Sequence, residues 1–284
     1  MPIPFISSLL KKRGIFRFEK EKSVLFITLD SCRYDTFENA KIPNLRAVGK
    51  LYRAMAPGNF TYGSHASMFV GFTPGIAGQR EAFVNPKYGK IFKLVGAGYP
   101  GKGTEHLVLE GRTIIDGFKN KGYLTIGSGA VGWFNPQSRT GQLLTEDFDK
   151  FYFPGNTHSL ARQLDWLGHE LVDPSRPVFV FLNIGETHVP YYYEGAPWNC
   201  EVNPCVPFSE SNDAAECRSR QKACLEYVDA LLKPLLEAFR AATTVVCSDH
   251  GDCWGEDGLW EHGIHHEKVL EVPLLFRLNG GQQR

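Results

Sequence analysis

The sequence predicts an α/β fold, a mainly parallel sheet with helices on both faces. Three observations carry that expectation. Four continuous apolar runs recur along the chain: SVLFITLD (23–30), YLTIGSG (123–129), PVFVFLNIGETH (177–188) and TTVVCSDHGD (243–252). Strands buried on both faces of a sheet have this unbroken apolar character. Helical patterns separate the runs, over 35–51, 64–72, 113–121, 157–172 and 213–241, and that alternation is the mark of a helix-covered parallel sheet. Finally, three runs end in ionisable groups: Asp30, then Glu186 and His188, then Asp249 and His250. In parallel α/β sheets ligands bind at the carboxyl ends of the strands.

The remaining stretches are organised around those elements. With 284 residues and no internal repeat or low-complexity linker, the chain is expected to form one domain over 1–284, with 1–22 as an N-terminal extension. Residues 73–110 are Gly-rich and read as loops. Residues 191–212 are aromatic and aperiodic, follow the third apolar run directly, and are expected to overhang the same sheet edge.

The charge balance narrows the partners. Lys and Arg total 31, as do Asp and Glu, so no global basic field is present for nucleic acid and no polybasic anchor for a membrane. No apolar run approaches the ~18 residues of a membrane span. In MPIPFISSLLKKRG the basic residues follow the apolar stretch, the reverse of a signal peptide, which makes the cytoplasm the expected compartment. The seven cysteines (32, 200, 205, 217, 224, 247 and 253) are odd in number. Their spacing is not that of short zinc knuckles, so free thiols are expected.

Asp30, His188, Asp249, His250 and His262 form a mixed carboxylate and imidazole set. Such oxygen and nitrogen donors suit zinc or manganese better than calcium or magnesium. Glu186 is a candidate to complete a second metal site. Gly251, Gly255, Gly258 and Gly263 allow the segment leading to His262 to fold back over the site. GNFTYGSHASMFVGFTPG (58–75) places Thr61, Ser64 and His65 at the start of a small-residue helix. One reading is a helix cap. The other is a nucleophile held where free N–H groups and the helix dipole attract an anion. Thr61 fits the nucleophile and first-metal ligand, and Ser64 the cap. His65 either contacts a phosphoryl oxygen or orients Thr61.

These residues carry a resemblance to the alkaline phosphatase superfamily, in its sulfatase-like branch. LFITLDSCRYDTF resembles the first metal-binding strand, and FTYGSHASMFVGFTP the nucleophile motif. GETHVPYY resembles the strand end that supplies a metal-binding His. SDHGDCWGEDGLWEHGIHHEKVLEVPLLF resembles the C-terminal metal motif. The same spacing occurs in phosphoethanolamine transferases, and the pattern is also similar to that of short bacterial sulfatase-like hydrolases. The resemblance implies one or two divalent metals, held by Asp30, Thr61, Asp249 and His250 and by His188 and His262. It implies a small-molecule phosphoester substrate, with a sulfate or phosphonate ester or a non-catalytic metal-binding role as alternatives. Thr at the nucleophile position cannot give the formylglycine aldehyde of sulfatases.

Overall fold

The computed structural model describes residues 18–71, 111–171 and 176–279, and the backbone of 93–96 and 105–108. In chain order the strands are β1 (Val24–Leu29), β2 (Tyr52–Met55), β3 (Lys93–Gly96), β4 (Glu105–Val108), β5 (Leu124–Gly129), β6 (Lys150–Tyr152), β7 (Val178–Ile184), β8 (Thr243–Ser248), β9 (Cys253–Trp254), β10 (Trp260–Glu261) and β11 (Glu271–Arg277). The α-helices are α1 (Tyr34–Asn39), α2 (Pro43–Arg46), α3 (Thr61–Val70), α4 (Ile114–Asn120), α5 (Arg139–Thr145), α6 (Leu160–Glu170), α7 (Ala214–Ala238) and α8 (Glu267–Leu270).

All four expected strands lie in one seven-stranded sheet of order β2-β11-β8-β1-β7-β5-β6. The pairs β8-β1, β1-β7, β7-β5 and β5-β6 are parallel, whereas β11 runs antiparallel to both β8 and β2. Side chains of a strand alternate between sheet faces, and β7, buried throughout, shows what each face holds. Val178, Val180, Leu182 and Ile184 join Leu164 and Leu167 of α6 and Leu225, Val228 and Leu232 of α7 in the larger core. Phe179 and Phe181 join Phe69 of α3, Ile115 of α4 and Leu144 of α5 in an aromatic core on the other face. Helices therefore cover both faces.

Three expectations change in the structure. The helix expected over 35–51 is two short helices, α1 and α2, followed by an edge strand. Pro43 occupies the first turn of α2, and Ile42 before it is non-helical, because a residue preceding proline is driven out of the α region. The strands β2, β6 and β11 were not anticipated: β2 and β6 are short edges, and β11 holds Pro273 within it. Most of the expected loop region 73–110 lies outside the described residues, but 93–96 and 105–108 pair as antiparallel strands. The long α7 begins where expected, with Asp213 accepting from the N–H groups of Ala215 and Glu216. All seven cysteines are unpaired.

Candidate metal centre and nucleophile

The sheet brings the ends of β1, β7 and β8 side by side. Asp30 follows β1 and Asp249 follows β8; both are fully buried. Asp30 is held from three directions. Its backbone N–H donates to Ile184 O (2.9 Å), its carbonyl accepts from Thr187 Oγ1 (2.7 Å), and its Oδ2 accepts from Asn183 Nδ2 (3.1 Å). Asp249 Oδ1 accepts from the N–H groups of Ser31 (3.1 Å) and His250 (3.0 Å). Ser31 makes that contact from the left-handed region, at φ 58°. Such backbone strain in a non-glycine residue is typical of built sites.

Thr61 is the first residue of α3. Its Oγ1 stands 3.4 and 3.5 Å from the two Asp30 oxygens and 3.3 Å from His250 Nε2. Its N-cap is Phe60, and no side chain caps the helix. Ser64 is therefore not the cap expected of it. Its hydroxyl donates to the Asp249 carbonyl (2.7 Å), locking α3 against the end of β8. Gly58 permits that approach, since a Cβ there would come within 2.8 Å of Ser64 N.

His65 lies beneath Thr61 rather than beside its hydroxyl. Nδ1 is 2.8 Å from the Thr61 carbonyl and Nε2 is 2.9 Å from Thr28 Oγ1. The edges and faces of Phe69, Phe134 and Phe181 surround its ring. Burial pushes its pKa down to about 4, so it is a neutral imidazole. Of the two roles open to His65 in the sequence, this placement fits orientation of Thr61.

Two groups of donors can each hold a divalent ion: Asp30, Asp249 and His250, and then His250, Asp252 and His262. Within each group the donor atoms lie within 4.8 Å of one another. The first group fits a cation on independent grounds. Asp249 Oδ2 is buried with no hydrogen-bond partner. Burial and then the Asp30 carboxylate beside it push the Asp249 pKa well above its ordinary value. Two carboxylates in one dry hole repel each other, and a cation between them removes that cost. His250 adds a nitrogen whose pKa burial pushes down to about 3, leaving it unprotonated as a metal ligand must be.

The three candidate histidine ligands are oriented alike. Nδ1 of His250 is 3.0 Å from Gly251 O, that of His188 is 2.8 Å from Val189 O, and that of His262 is 2.7 Å from Asp252 Oδ1. In each case Nε2 is left for a ligand. The His262 ring centroid is 4.4 Å from that of His250 and 5.2 Å from that of His188. The expected fold-back of the Gly-rich segment is present, with Gly255, Gly258 and Gly263 at positive φ. Gly263 N donates to Asn59 O (2.7 Å), tying the segment to the stretch just before Thr61.

Glu186 stands apart from both donor groups. It lies in the turn after β7, and its Oε1 accepts from Leu160 N at the start of α6 (2.7 Å). Burial raises its pKa to about 7. Arg33, buried over Trp254, bonds to Asp35, Glu256 and the Asp252 carbonyl.

Asp252 was missed in the sequence. Its Oδ2 accepts from the Tyr191 hydroxyl (2.8 Å), which in turn accepts from Trp254 Nε1 (2.8 Å). In this way part of the aromatic segment 191–212 supports the site from behind. Burial disfavours a charged His262 ring, but the Asp252 carboxylate outweighs it and raises the pKa to about 9. The available signal was the second acid in SDHGD. Asn183 was missed as well; its signal was a lone amide inside the apolar run VFVFLNIG. Asp252→Asn is expected to weaken metal binding at the His262 side by roughly 10–100-fold or more, since the carboxylate both orients His262 and stands among the second group of donors. Calorimetric zinc titration of the variant against the parent checks this; equal affinity would remove Asp252 from that role.

The sequence model of the sulfatase family matches residues 23–284. The chain belongs to the sulfatase family. No curated protein matches it. Solved structures share its fold at low identity. The C-terminal periplasmic domain of the phosphoethanolamine transferase EptC from Campylobacter jejuni is 14% identical with a TM-score of 0.63, over 93% of this chain and 83% of that one. The corresponding Escherichia coli domain, in complex with Zn, is 13% identical with a TM-score of 0.62, over 95% and 75%. The lipoteichoic acid synthase LtaP from Listeria monocytogenes is 10% identical with a TM-score of 0.58, over 98% and 72%. Nothing in these likenesses supports the cytoplasmic compartment expected from the N-terminal charge order. Among the described residues no helix is long and apolar enough to cross a membrane.

Proposed function

We propose that this sulfatase-family chain is a metal-dependent phosphoester hydrolase or phosphotransferase with Thr61 as its nucleophile. The observation that carries the reading is the position of Thr61 Oγ1, 3.3–3.5 Å from the Asp30 oxygens and His250 Nε2 at an uncapped helix start. Asp30, Thr61, Asp249 and His250 would hold one ion, and His188 and His262 the other, with zinc favoured by the donor set and manganese the alternative. When bound, these ions supply charge stabilisation to the phosphoryl oxygens and lower the pKa of a coordinated hydroxyl.

The chain's own residues do the rest. His65 and the Ser64 bond to Asp249 hold the first turn of α3 against the strand ends, which fixes the direction of the Thr61 hydroxyl. The free N–H groups of that turn favour a phosphoryl oxygen there. Attack by Oγ1 on phosphorus forms the Oγ–P bond as the bond to the leaving alcohol breaks. Water or an acceptor alcohol then releases the phosphoryl group from the threonine.

A panel of aryl phosphate monoesters, phosphate diesters, sulfates and phosphonates tests the class, with intact-mass detection of phosphothreonine at Thr61 after rapid quenching. Turnover of phosphate esters with a label on Thr61 is expected. Turnover of sulfates alone would select the sulfate ester alternative. No turnover of any ester by metal-loaded protein would leave a metal-binding scaffold.

A further inference from the structure

Behind the strand end that carries His188 is a cavity of about 540 Å³, within the roughly 300–1,000 Å³ range of small-molecule sites, lined by His158, Glu186, Tyr192 and Tyr227 among others. It neighbours His188 alone among the candidate ligands: Glu186 lies two residues before it in the chain and His158 abuts its backbone. Two of its polar atoms are buried and without a hydrogen-bond partner: Glu186 Oε2 and His158 Nε2. Glu186 is only 2% exposed. Its other oxygen is engaged at the start of α6, so Oε2 is the atom left over. A buried acceptor with no donor is costly.

The chemistry of the lining restricts what would satisfy those atoms. A sulfate ester or a dianionic phosphate ester has no donor to offer to Glu186 Oε2 or His158 Nε2. At the rim Glu194 and Arg162 carry opposite charges, so the mouth has no net field to draw in an ammonium ion. A hydroxyl group can donate to Glu186 Oε2 and to His158 Nε2, and accept from Arg162. Two rings are held in place to pack against the carbon skeleton of such a ligand. Tyr192 meets the His158 ring edge-on at 5.4 Å, and Tyr227 stacks on Tyr193 at 4.3 Å.

We infer that this cavity is a subsite for a neutral polyhydroxyl group, such as a sugar or glycerol unit of the substrate's alcohol portion. Glu186 and His158 are its hydrogen-bond acceptors. The inference rests on the ester reading above only in naming the ligand as part of a substrate; binding itself needs neither metal nor turnover.

The test is saturation-transfer NMR on the purified full chain with methyl glucoside, glycerol and myo-inositol, beside ethanolamine and inorganic sulfate. Saturation is expected on at least one polyol and on neither of the other two. Glu186→Gln and His158→Phe are each expected to lower polyol affinity about tenfold or more, the loss that follows when a buried hydrogen bond is broken. Melting temperature reports whether each variant folds. Should Glu186→Gln fail because it weakens the start of α6, His158→Phe decides alone. The proposal is overturned if no polyol binds, if ethanolamine or sulfate binds instead, or if polyol affinity is unchanged in a folded variant. A failure here leaves ester turnover untouched, and a protein inactive on every ester would still give a result.

Discussion

Thr61→Ala is expected to lower turnover of the best phosphoester on the order of 10⁴-fold or more while leaving the fold intact. The magnitude follows from removing the atom that forms the covalent bond, since a lost nucleophile removes the entire two-step route. The fold should survive because Thr61 makes no cap bond to α3 and its hydroxyl bonds only to Asp30 and His250. Thr61→Ser keeps the hydroxyl and should retain measurable activity, reduced because the β-methyl no longer restricts the side-chain torsion. Steady-state kinetics of the three proteins, with melting curves alongside, is the check. If Thr61→Ala keeps most of the activity, a water molecule must be the attacking group and the threonine only a wall of the site.

The second large effect concerns the buried carboxylate pair. Chelation should abolish turnover and lower the melting temperature, and added zinc or manganese should restore both. At an ion concentration 100 times its dissociation constant the expected stabilisation is about 2.7 kcal/mol. Asp249→Asn separates this account from a general effect of chelator. Asp249 and Asp30 repel each other in the metal-free protein, and burial adds to the cost. Removing that charge should leave metal-free stability equal or higher while cancelling the gain from added metal. Thermal unfolding of parent and variant, each with and without zinc, reads both signs at once. A variant that is destabilised without metal yet still gains fully from zinc would contradict the placement of Asp249 as a ligand.

What the sequence made legible was of one kind. Runs such as SVLFITLD and TTVVCSDHGD identified buried parallel strands, and an acid or imidazole directly after each run marked the site edge. Those signals are local, since a strand's burial and its last residue can be read from a few neighbours. Asp30, Asp249 and His250 were legible for that reason, Thr61 from its place at a helix start and His262 from the Gly-rich segment before it, and the structure brings the five together. Contacts between distant segments were not legible. Asn183 is a strand residue whose amide reaches Asp30, 153 positions away, and only the register of β1 against β7 makes them neighbours.

The same limit explains the reassignments. Ser64 looked like a cap because serine near a helix start usually is one, but its hydroxyl is taken by the Asp249 carbonyl from another strand. Glu186 stood next to His188 in sequence, so it was assigned to the same metal. In the turn after β7 its carboxyl is bonded to the start of α6 and lines a cavity there instead. By itself, then, the sequence determined which strand ends carry acids and imidazoles, because apolar runs and their terminal polar residues are properties of a short segment. Only the tertiary structure decided which way each side chain points and what holds it. Those directions depend on the sheet order β8-β1-β7 and on the loops returning from β8, whose contacts join residues with no local relation in the chain.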